Sequence, residues 1–329
     1  MTKETRPVRD AGSPARSLRV VVVDDSATVR AVLARALDRS PQIRVVGRAA
    51  DGVEALEVIA KLEPDVVTLD IEMPRMDGLE ALRRIMAEHP TAVVMVSSLT
   101  REGAEATLTA LELGAVDFVQ KPVVRGVAAP HEIAGDLVEK VLLAGTAKLS
   151  TLRAAATAVD GGPPLPIPTG TLWANRVVAV GTSTGGPQAL RTLISQLPED
   201  LGVPIVVVQH MPPQFTRTLA DRLDQLSAVR VREARPGSKL ERGTVLIAPG
   251  GFHLVFDERG VADLSEAPVE HGVRPSVNVT MESLTRLHRR RMLGVVLTGM
   301  GRDGQRGCEL IKAAGGFGCL TGVLLRDMG

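Results

Sequence analysis

The chain has 329 residues, of which 44% are hydrophobic, so it is long enough for two domains with buried cores. Lys and Arg number 39 against 38 Asp and Glu, which argues against a general polyanion-binding protein. Only 2% of the residues are aromatic, too few for the stacking surfaces that bind single-stranded nucleic acid. The composition therefore predicts no nucleic-acid partner.

The sequence carries no signature of secretion or of membrane insertion. Its N-terminus is polar, and no stretch approaches about 20 uninterrupted apolar residues. The cysteines, Cys308 and Cys319, form neither a metal-binding pattern nor a disulfide framework, which favours a reducing compartment. We expect a cytoplasmic protein with no membrane insertion.

The first half of the chain alternates buried strands with amphipathic helices, after a polar segment at 1–17 that is predicted to be a disordered tail. The alternation occurs five times, with strands at 18–23, 43–46, 65–71, 92–96 and 118–119, and helices at 28–38, 53–62, 79–86, 102–113 and 133–149. It predicts a doubly wound parallel sheet with helices on both faces over residues 18–140.

The second half is predicted to be a separate α/β domain over residues 175–329. Residues 141–174 are expected to hold a helix end and a linker, because 150–171 is rich in Ala and then in Gly and Pro. Apolar runs and helical patterns then alternate again, which predicts a mostly parallel sheet. The segments between Val229 and Asp263 resemble hairpins, so we expect this sheet to be partly mixed.

Side chains suited to phosphoryl chemistry follow the strands of the first predicted sheet. Asp24 and Asp25 follow the first strand, Asp70 the third, and Ser97 and Lys121 the fourth and fifth. Ligands of open α/β sheets sit beyond the carboxyl ends of strands, so these groups are expected to converge. Converging carboxylates suit Mg²⁺, and a carboxylate can attack phosphorus to form an acyl phosphate. A single acidic residue at a strand end is more often a helix cap, but five residues of these types together favour phosphorylation.

The segments VVVDDS, TLDIEMPRMDGLEAL, VMVSSLT and FVQKP resemble the response-regulator receiver domain over about residues 18–140. The resemblance implies that Asp70 accepts a phosphoryl group from a histidine kinase. It also implies that Asp24, Asp25 and Asp70 hold Mg²⁺ and that Lys121 contacts the phosphoryl group.

The receiver resemblance further implies two switch positions, Ser97 and Phe118. A core role explains Phe118 equally well. The Lys121–Pro122 bond resembles a cis peptide of the family, and cis costs little before proline.

A glycine-rich turn, GTSTGG at 181–186, follows the first strand of the second domain. Its glycines allow a sharp turn with Ser183 at the apex, near a helix N-terminus whose free N–H groups favour negative charge. Three interpretations compete: a dinucleotide-binding loop, a merely structural turn and a nucleophile turn of the G-x-S-x-G type. The first is weakened because Ser183 replaces the central glycine of G-x-G-x-x-G.

Two further strand ends favour the nucleophile turn. His210 follows the run VVVQ, and Asp303 lies in the glycine-rich loop after VVLTGMG. Each residue alone is more often structural, but with Ser183 they supply a hydroxyl, an imidazole and a carboxylate. In this interpretation His210 deprotonates Ser183, while Asp303 orients His210 and stabilises its cation. The order Ser, His, Asp differs from that of the α/β-hydrolases.

The motifs GTSTGGPQAL, VVVQHMPPQFT, IAPGGFHL, RPSVN and LTGMGRDG resemble the CheB protein-glutamate methylesterase family over about residues 175–315. The resemblance implies hydrolysis of glutamyl γ-methyl esters on chemoreceptors, and deamidation of receptor glutamines, in chemotaxis adaptation. It implies that Ser183 is the nucleophile, His210 the base and Asp303 the orienting acid. Thr184 and the Met300 backbone would support the active site and its oxyanion hole, and no cofactor is implied for hydrolysis.

The sequence departs from that family in two places. After Gly316 it reads FGCLTGVLLRDMG, where the family continues with a Gln/Glu-rich segment, a G-M-P motif and a final helix. We therefore expect a C-terminally incomplete domain with an exposed sheet or helix face. Asn278, in RPSVN, stands where the family commonly has Asp, and we expect catalysis to survive this change.

Five arginines that cluster in sequence are candidates for contacting the acidic methylation sites of receptors, although solvated charge explains any single one more simply. They are Arg217, Arg222, Arg230, Arg232 and Arg235.

The primary hypothesis is a receptor methylesterase and deamidase whose catalytic face is covered by the receiver until Asp70 is phosphorylated. Two alternatives stay open: a phosphorylatable module that binds receptor or kinase without hydrolysis, and a receiver-regulated hydrolase of another ester or amide. A DNA-binding response regulator is disfavoured, since there is no helix-turn-helix pattern and the charge is balanced.

Overall fold

The computed structural model describes residues 17–98, 100–121, 130–146, 176–297 and 302–320. The predicted N-terminal tail, apart from its last residue, and the predicted linker at 150–171 lie outside these ranges, and so do Pro122 and Met300. Within them, no helix combines the length and the apolar character needed to cross a membrane.

The first domain is a five-stranded parallel sheet between two layers of helices, as its alternating pattern predicts. The strands are β1 (Leu18–Val23), β2 (Ile43–Ala49), β3 (Val66–Asp70), β4 (Ala92–Ser97) and β5 (Asp117–Gln120), in the order β2-β1-β3-β4-β5. The helices are α1 (Ala27–Leu37), α2 (Gly52–Leu62), α3 (Gly78–Glu88), α4 (Arg101–Glu112) and α5 (Pro130–Thr146). The central strands β3 and β4 are buried along their whole length, which is typical of a sheet covered on both faces.

Each of the first four helices begins at a side chain that caps it. Ser26, Asp51, Asp77 and Thr100 each accept a hydrogen bond from a backbone N–H in the first turn of the helix that follows. These caps satisfy donors that have no partner inside the helix, and they fix the residue at which each helix begins. The functional side chains are thereby kept at the carboxyl edge of the sheet.

The second domain is built on a six-stranded sheet in which every pair is parallel. Its strands are β6 (Val177–Thr182), β7 (Ile205–Gln209), β8 (Arg230–Glu233), β9 (Thr244–Ile247), β12 (Met292–Val296) and β13 (Phe317–Leu320), in the order β13-β12-β6-β7-β9-β8. Its helices are α6 (Gly186–Ile194), α7 (Phe215–Leu226), α8 (Val277–His288) and α9 (Gln305–Ala313). A short 3₁₀ helix, Arg289–Arg291, precedes β12.

The expectation of a mixed sheet is wrong for β8 and β9, which pair in parallel. The predicted hairpin pattern instead corresponds to β10 (His253–Phe256) and β11 (Ala262–Ser265), which form a separate antiparallel pair. The turn-rich composition signals reversals of the chain, but it does not say which strands pair across them. That choice is made by burial, since β9 is buried along its whole length against β7.

The strand order creates a topological switch point beside β6. The next strand in the chain, β7, pairs with β6 on one side. The strand that pairs with β6 on its other side, β12, comes much later in the sequence. Crevices beyond the carboxyl ends of strands at such a point are the usual ligand sites of open α/β sheets. The loops after β6, β7 and β12, which carry Ser183, His210 and Asp303, therefore border one crevice.

Candidate active site and phosphorylation site

Ser183 lies in a tight turn between β6 and α6. The N–H of Gly186 donates to the Ser183 carbonyl at 2.7 Å, and Gly185 adopts φ +73°, a conformation that favours glycine. A Cβ at Gly186 would lie 1.9 Å from Oε1 of Gln209 and 2.9 Å from Cβ of Thr182, so a larger residue would displace the Gln209 side chain. Gly185 precedes α6 and has no side chain, so no side chain of the N-cap residue accepts a hydrogen bond from the first turn of this helix. The turn thus presents Ser183 beside a helix N-terminus.

Gln209, the last residue of β7, connects this turn to the next strand end. Its Oε1 accepts a hydrogen bond from the Thr182 hydroxyl at 2.7 Å, and its Nε2 donates to the Ser183 carbonyl at 3.0 Å. The Gln209 side chain is buried, and both ends of its amide are satisfied. It therefore fixes the loops that carry Ser183 and His210 relative to each other.

A hydrogen bond between His210 and Asp303 lies at the centre of the site. Nε2 of His210 lies 2.8 Å from Oδ2 of Asp303. A carboxylate only accepts hydrogen bonds, so this contact assigns the proton to Nε2 and leaves Nδ1 as the basic nitrogen.

Asp303 is held by the start of α8 as well as by His210. Its two oxygens accept hydrogen bonds from the Ser276 hydroxyl and from the backbone N–H groups of Val277 and Asn278, at 2.7–2.9 Å. Burial acts to raise the pKa of Asp303, but the hydrogen bonds from His210, Asn278 and Val277 outweigh it and lower the pKa below its ordinary value. Asp303 is therefore a carboxylate at neutral pH.

Ser183, His210 and Asp303 line one cleft of about 520 Å³. Among the described residues, no hydrogen bond joins the Ser183 hydroxyl to His210. Catalytic hydrogen bonds are often long before substrate binds, so this spacing agrees with a resting site. The structure thus brings the three predicted residues to one cleft, and Met300 lies outside the described ranges.

One wall of this cleft comes from the first domain. Asp117 of β5 and Asp136, Glu139 and Lys140 of α5 line it, together with the loop 271–274 of the second domain. Oδ2 of Asp117 accepts a hydrogen bond from the hydroxyl of Thr184, the residue after Ser183. The first domain therefore contacts the candidate active site directly.

An aromatic contact continues this interface behind the cleft. The ring of Phe118 stacks on the ring of Phe215 from α7, with centroids 4.6 Å apart and planes 6° apart. Lys140 donates to the Phe118 carbonyl at 2.7 Å and lies 5.2 Å above its ring. Phe118 is thus both buried and in contact with the second domain, so its core role and its predicted switch role are compatible.

Arg222, one of the five clustered arginines, belongs to the interface rather than to an open receptor-binding surface. Its guanidinium donates to the Thr109 hydroxyl at 2.7 Å and lies 3.2 Å from the Glu112 carboxylate. The arginines that line the cleft are instead Arg274 and Arg302. Sequence proximity did not identify them, because they follow different elements of the fold.

The candidate phosphorylation site also assembles as predicted. Asp24, Asp25 and Asp70 each offer an oxygen within 4.8 Å of the others. Lys121 reaches them from β5, with Nζ 2.7 Å from Asp70, 3.3 Å from Asp24 and 3.8 Å from Asp25. The Asp24 contact is an ion pair without hydrogen-bond geometry, so the buried Oδ2 of Asp24 has no hydrogen-bond partner among the described residues. A buried carboxylate oxygen without a hydrogen-bond partner fits a Mg²⁺ ligand.

Burial of this cluster disfavours charge on Asp70. It raises the pKa of Asp70 to about 6, with the neighbouring Asp24 adding to the shift and Lys121 opposing it. Burial likewise raises the pKa of Asp24. The cluster therefore holds more negative charge than its single lysine offsets, which is the electrostatic condition under which a divalent cation binds.

We expect Asp70→Asn to stabilise the metal-free protein at neutral pH. The pKa of Asp70 is higher in the folded state than the ordinary 3.8, so the folded state binds more protons between those values. The contribution of Asp70 to the unfolding free energy must then fall as the pH rises from about 4 to about 6, by on the order of 3 kcal/mol, and the variant lacks this loss.

Thermal unfolding at pH 5 and pH 8, with and without Mg²⁺, measures this effect. Mg²⁺ is expected to raise the melting temperature of the wild type more than that of Asp70→Asn. Glu72→Gln, which removes an exposed carboxylate nearby, is the control and should behave like the wild type. An Asp70→Asn variant that melts below the wild type at pH 8 contradicts the prediction.

Ser97, the other predicted switch position, is buried at the end of β4. Its hydroxyl accepts a hydrogen bond from the Thr107 hydroxyl at 2.7 Å and donates to the Gly103 carbonyl at 3.2 Å. These contacts tie Ser97 to α4, the helix that packs against α7. A change at Ser97 is therefore connected through α4 to the domain interface.

Sequence reasoning missed several residues of this region. Asp117 directly precedes the predicted switch residue Phe118, and Gln209 directly precedes His210, so position next to a predicted residue was the available signal. Ser276 had a helix-cap pattern, but nothing in the sequence linked it to Asp303.

Taken together, a receiver fold with clustered carboxylates and an attached α/β domain with a hydroxyl, an imidazole and a carboxylate at one cleft define a receiver-linked hydrolase. Residues 20–127 match the response regulator receiver domain, and residues 178–321 match the family described as CheB methylesterase. The chain belongs to this CheB methylesterase family.

Individual relatives cover most of this chain. A protein-glutamate methylesterase/protein-glutamine glutaminase of Symbiobacterium thermophilum is 50% identical over 315 residues, covering 92% of this chain and 86% of that protein. A protein of the same name from Geobacillus kaustophilus is 46% identical over 303 residues, covering 91% of this chain and 86% of that protein. The crystal structure of the Thermotoga maritima CheB methylesterase catalytic domain is 42% identical, with a TM-score of 0.42, and the match covers 44% of this chain and 77% of that chain.

Proposed function

We propose that this chain hydrolyses γ-methyl esters of glutamates on chemoreceptors and deamidates receptor glutamines, and that phosphorylation of Asp70 by a chemotaxis histidine kinase activates it. The observation that carries the proposal is the Asp303–His210 hydrogen bond beside Ser183, in a cleft whose other wall is the receiver.

In the proposed reaction, Oγ of Ser183 attacks the carbonyl carbon of the substrate and passes its proton to Nδ1 of His210. Asp303 stabilises the imidazolium that forms. Negative charge develops on the carbonyl oxygen near the N-terminus of α6, where the dipole favours it. His210 then gives this proton to the ester oxygen or the amide nitrogen as its bond to the carbonyl carbon breaks, so that methanol or ammonia leaves. Water hydrolyses the acyl-enzyme by the same path in reverse.

The receiver wall supports the regulatory part of the proposal. In the unphosphorylated state, Asp117 binds Thr184 and the carboxylates of α5 border the cleft, so an acidic receptor segment meets both a barrier and like charge. Phosphorylation of Asp70 would use Lys121 to bind the phosphoryl oxygens, with Mg²⁺ at the three carboxylates supplying further positive charge. A shift of Phe118 would then act on Asp117 and Phe215 together.

Methanol release from methylated receptor, measured with and without a small phosphodonor, tests the proposed function. We expect the wild type to release methanol and to become faster with the phosphodonor, whereas Asp70→Asn gains nothing from it. Ammonia release from receptors with glutamine at the methylation sites tests deamidation in parallel. Phosphorylation without release of either product would support the non-enzymatic alternative, and equal rates on unrelated esters would support a hydrolase of other substrates.

A further inference from the structure

Asn278 is fully buried in the first turn of α8, and its side-chain amide contacts two loops that border the cleft. Its Oδ1 accepts hydrogen bonds from the N–H groups of Gly304 and Gly307, at 3.0 and 2.9 Å. Its Nδ2 donates to Oε1 of Glu270 at 3.0 Å. One side chain thus connects the turn that carries Asp303 to the loop that carries Glu270.

The orientation of this amide is determined by its partners. Backbone N–H groups only donate, so the oxygen of Asn278 must face Gly304 and Gly307. The nitrogen must then face Glu270, whose ionised carboxylate only accepts. The position therefore requires an acceptor on one side and a donor on the other.

Glu270 begins a tight turn that forms part of the wall of the cleft. Glu270 and Val273 exchange two backbone hydrogen bonds, at 3.2 and 3.1 Å, and His271 and Gly272 turn the corner with φ +53° and +78°. His271 and Gly272 both line the cleft. The contact with Asn278 therefore anchors a surface that faces the substrate.

We propose that Asn278 is a positioning residue for the reaction: its amide holds the Asp303 turn and the Glu270 turn together, and Glu270 is the reason that it must be an amide. The inference rests on the proposed roles of His210 and Asp303. A carboxylate at the same place would put two acceptor oxygens 3.0 Å apart in a partly buried site, an arrangement that favours a proton shared between them.

The charges around this pair are few. Arg306 lies 3.1 Å from the Glu270 carboxylate and His271 lies 3.8 Å from it, while Glu282 shares Arg306 at 3.3 Å. On the other side, Asp303 accepts the backbone N–H of Asn278 and contacts His210. An added carboxylate at position 278 would therefore meet negative charge from both Glu270 and Asp303.

Asn278→Asp tests the proposal in the full chain, since it changes the donor into an acceptor without changing shape. We expect kcat/KM for methyl-ester hydrolysis by the phosphorylated protein to fall about fivefold at pH 8, mostly in kcat, because a displaced Asp303 turn misorients His210. The deficit relative to the wild type should shrink toward pH 6, as a proton shared by the two carboxyls replaces the lost N–H.

Adding Glu270→Gln to Asn278→Asp supplies a new donor, so we expect the double variant to regain the activity of Glu270→Gln alone. Adding Glu282→Gln is the matched control, because Glu282 also contacts Arg306 but does not touch Asn278, and it should restore nothing. If Asn278→Asp does not fold, Glu270→Gln should restore folding as well, which thermal unfolding shows.

Wild-type kinetics and an unchanged pH dependence in Asn278→Asp would overturn the proposal, and so would a loss that Glu270→Gln does not repair. Absence of ester hydrolysis in the wild type contradicts the proposed function itself. Hydrolysis by the wild type together with an unaffected variant contradicts only the role of Asn278.

Discussion

Replacing Ser183 by Ala is expected to lower kcat for methyl-ester hydrolysis by on the order of a millionfold, because the chain then has no hydroxyl nucleophile at the apex of the β6–α6 turn. Substrate binding should change little, since the lost Oγ is small and the turn is held by backbone hydrogen bonds. Methanol release by the phosphorylated variant measures the loss. Ser195→Ala removes an exposed hydroxyl at the other end of α6 and is the matched control.

Asp303→Asn should lower kcat by about three to four orders of magnitude, because the neutral amide no longer stabilises the imidazolium of His210. It also places an N–H₂ group among donors, since both oxygens of Asp303 accept hydrogen bonds. A Ser183→Ala or Asp303→Asn variant within tenfold of the wild type would rule out the proposed triad.

The same Asp303→Asn substitution should reveal a pH-dependent stability. The folded-state pKa of Asp303 is lowered, so its carboxylate stabilises the fold above the ordinary pKa, and this contribution is lost as the pH falls through the folded value. The difference in unfolding free energy between wild type and variant should therefore be largest at neutral pH and shrink under acid conditions. Urea unfolding across the acidic range measures this convergence.

Asp117→Ala is expected to raise the activity of the unphosphorylated protein about tenfold, which is the population shift that one interface hydrogen bond of about 1.4 kcal/mol supports. The variant frees Thr184 and removes one like charge from the wall that an acidic receptor approaches. The activity of the phosphorylated protein should change less. The factor by which phosphorylation raises activity should therefore be smaller in the variant than in the wild type.

Asp136→Ala is the matched control for the Asp117 experiment. Asp136 also lines the cleft and lies 3.2 Å from Lys140, but no hydrogen bond joins it to Thr184 among the described residues. A rise in Asp117→Ala that exceeds the rise in Asp136→Ala isolates the contact with Thr184. Equal rises would assign the effect to charge at the cleft, and no rise in either would contradict direct obstruction by the receiver.

Much of the fold was predictable from local pattern. The central strands are runs of apolar, mostly β-branched residues, and the amphipathic helices between them begin at capping side chains such as Asp51 and Thr100. Helix boundaries moved by only a few residues, for example from 133–149 to Pro130–Thr146 for α5. The parallel pairing of β8 with β9 was not predictable, because partner choice depends on burial against β7.

By itself, the sequence determined which side chains reach each site. In a parallel sheet all carboxyl ends lie on one edge, so residues that follow strands, such as Asp24, Asp70 and Lys121, must converge there. The same argument brought Ser183, His210 and Asp303 to one cleft. Their spacing along the chain was irrelevant, since topology supplied the proximity.

The tertiary structure alone decided how these groups are oriented and what controls access to them. It decided that Nε2 of His210 faces Asp303 and that Asn278 joins Glu270 to the Asp303 turn. It also decided that Asp117 contacts Thr184, which is 67 positions away along the chain. Such contacts depend on how the surfaces of the two domains pack together. They also depend on which side-chain donors and acceptors remain free once the backbone hydrogen bonds have formed. No periodicity of hydrophobic residues encodes either of these.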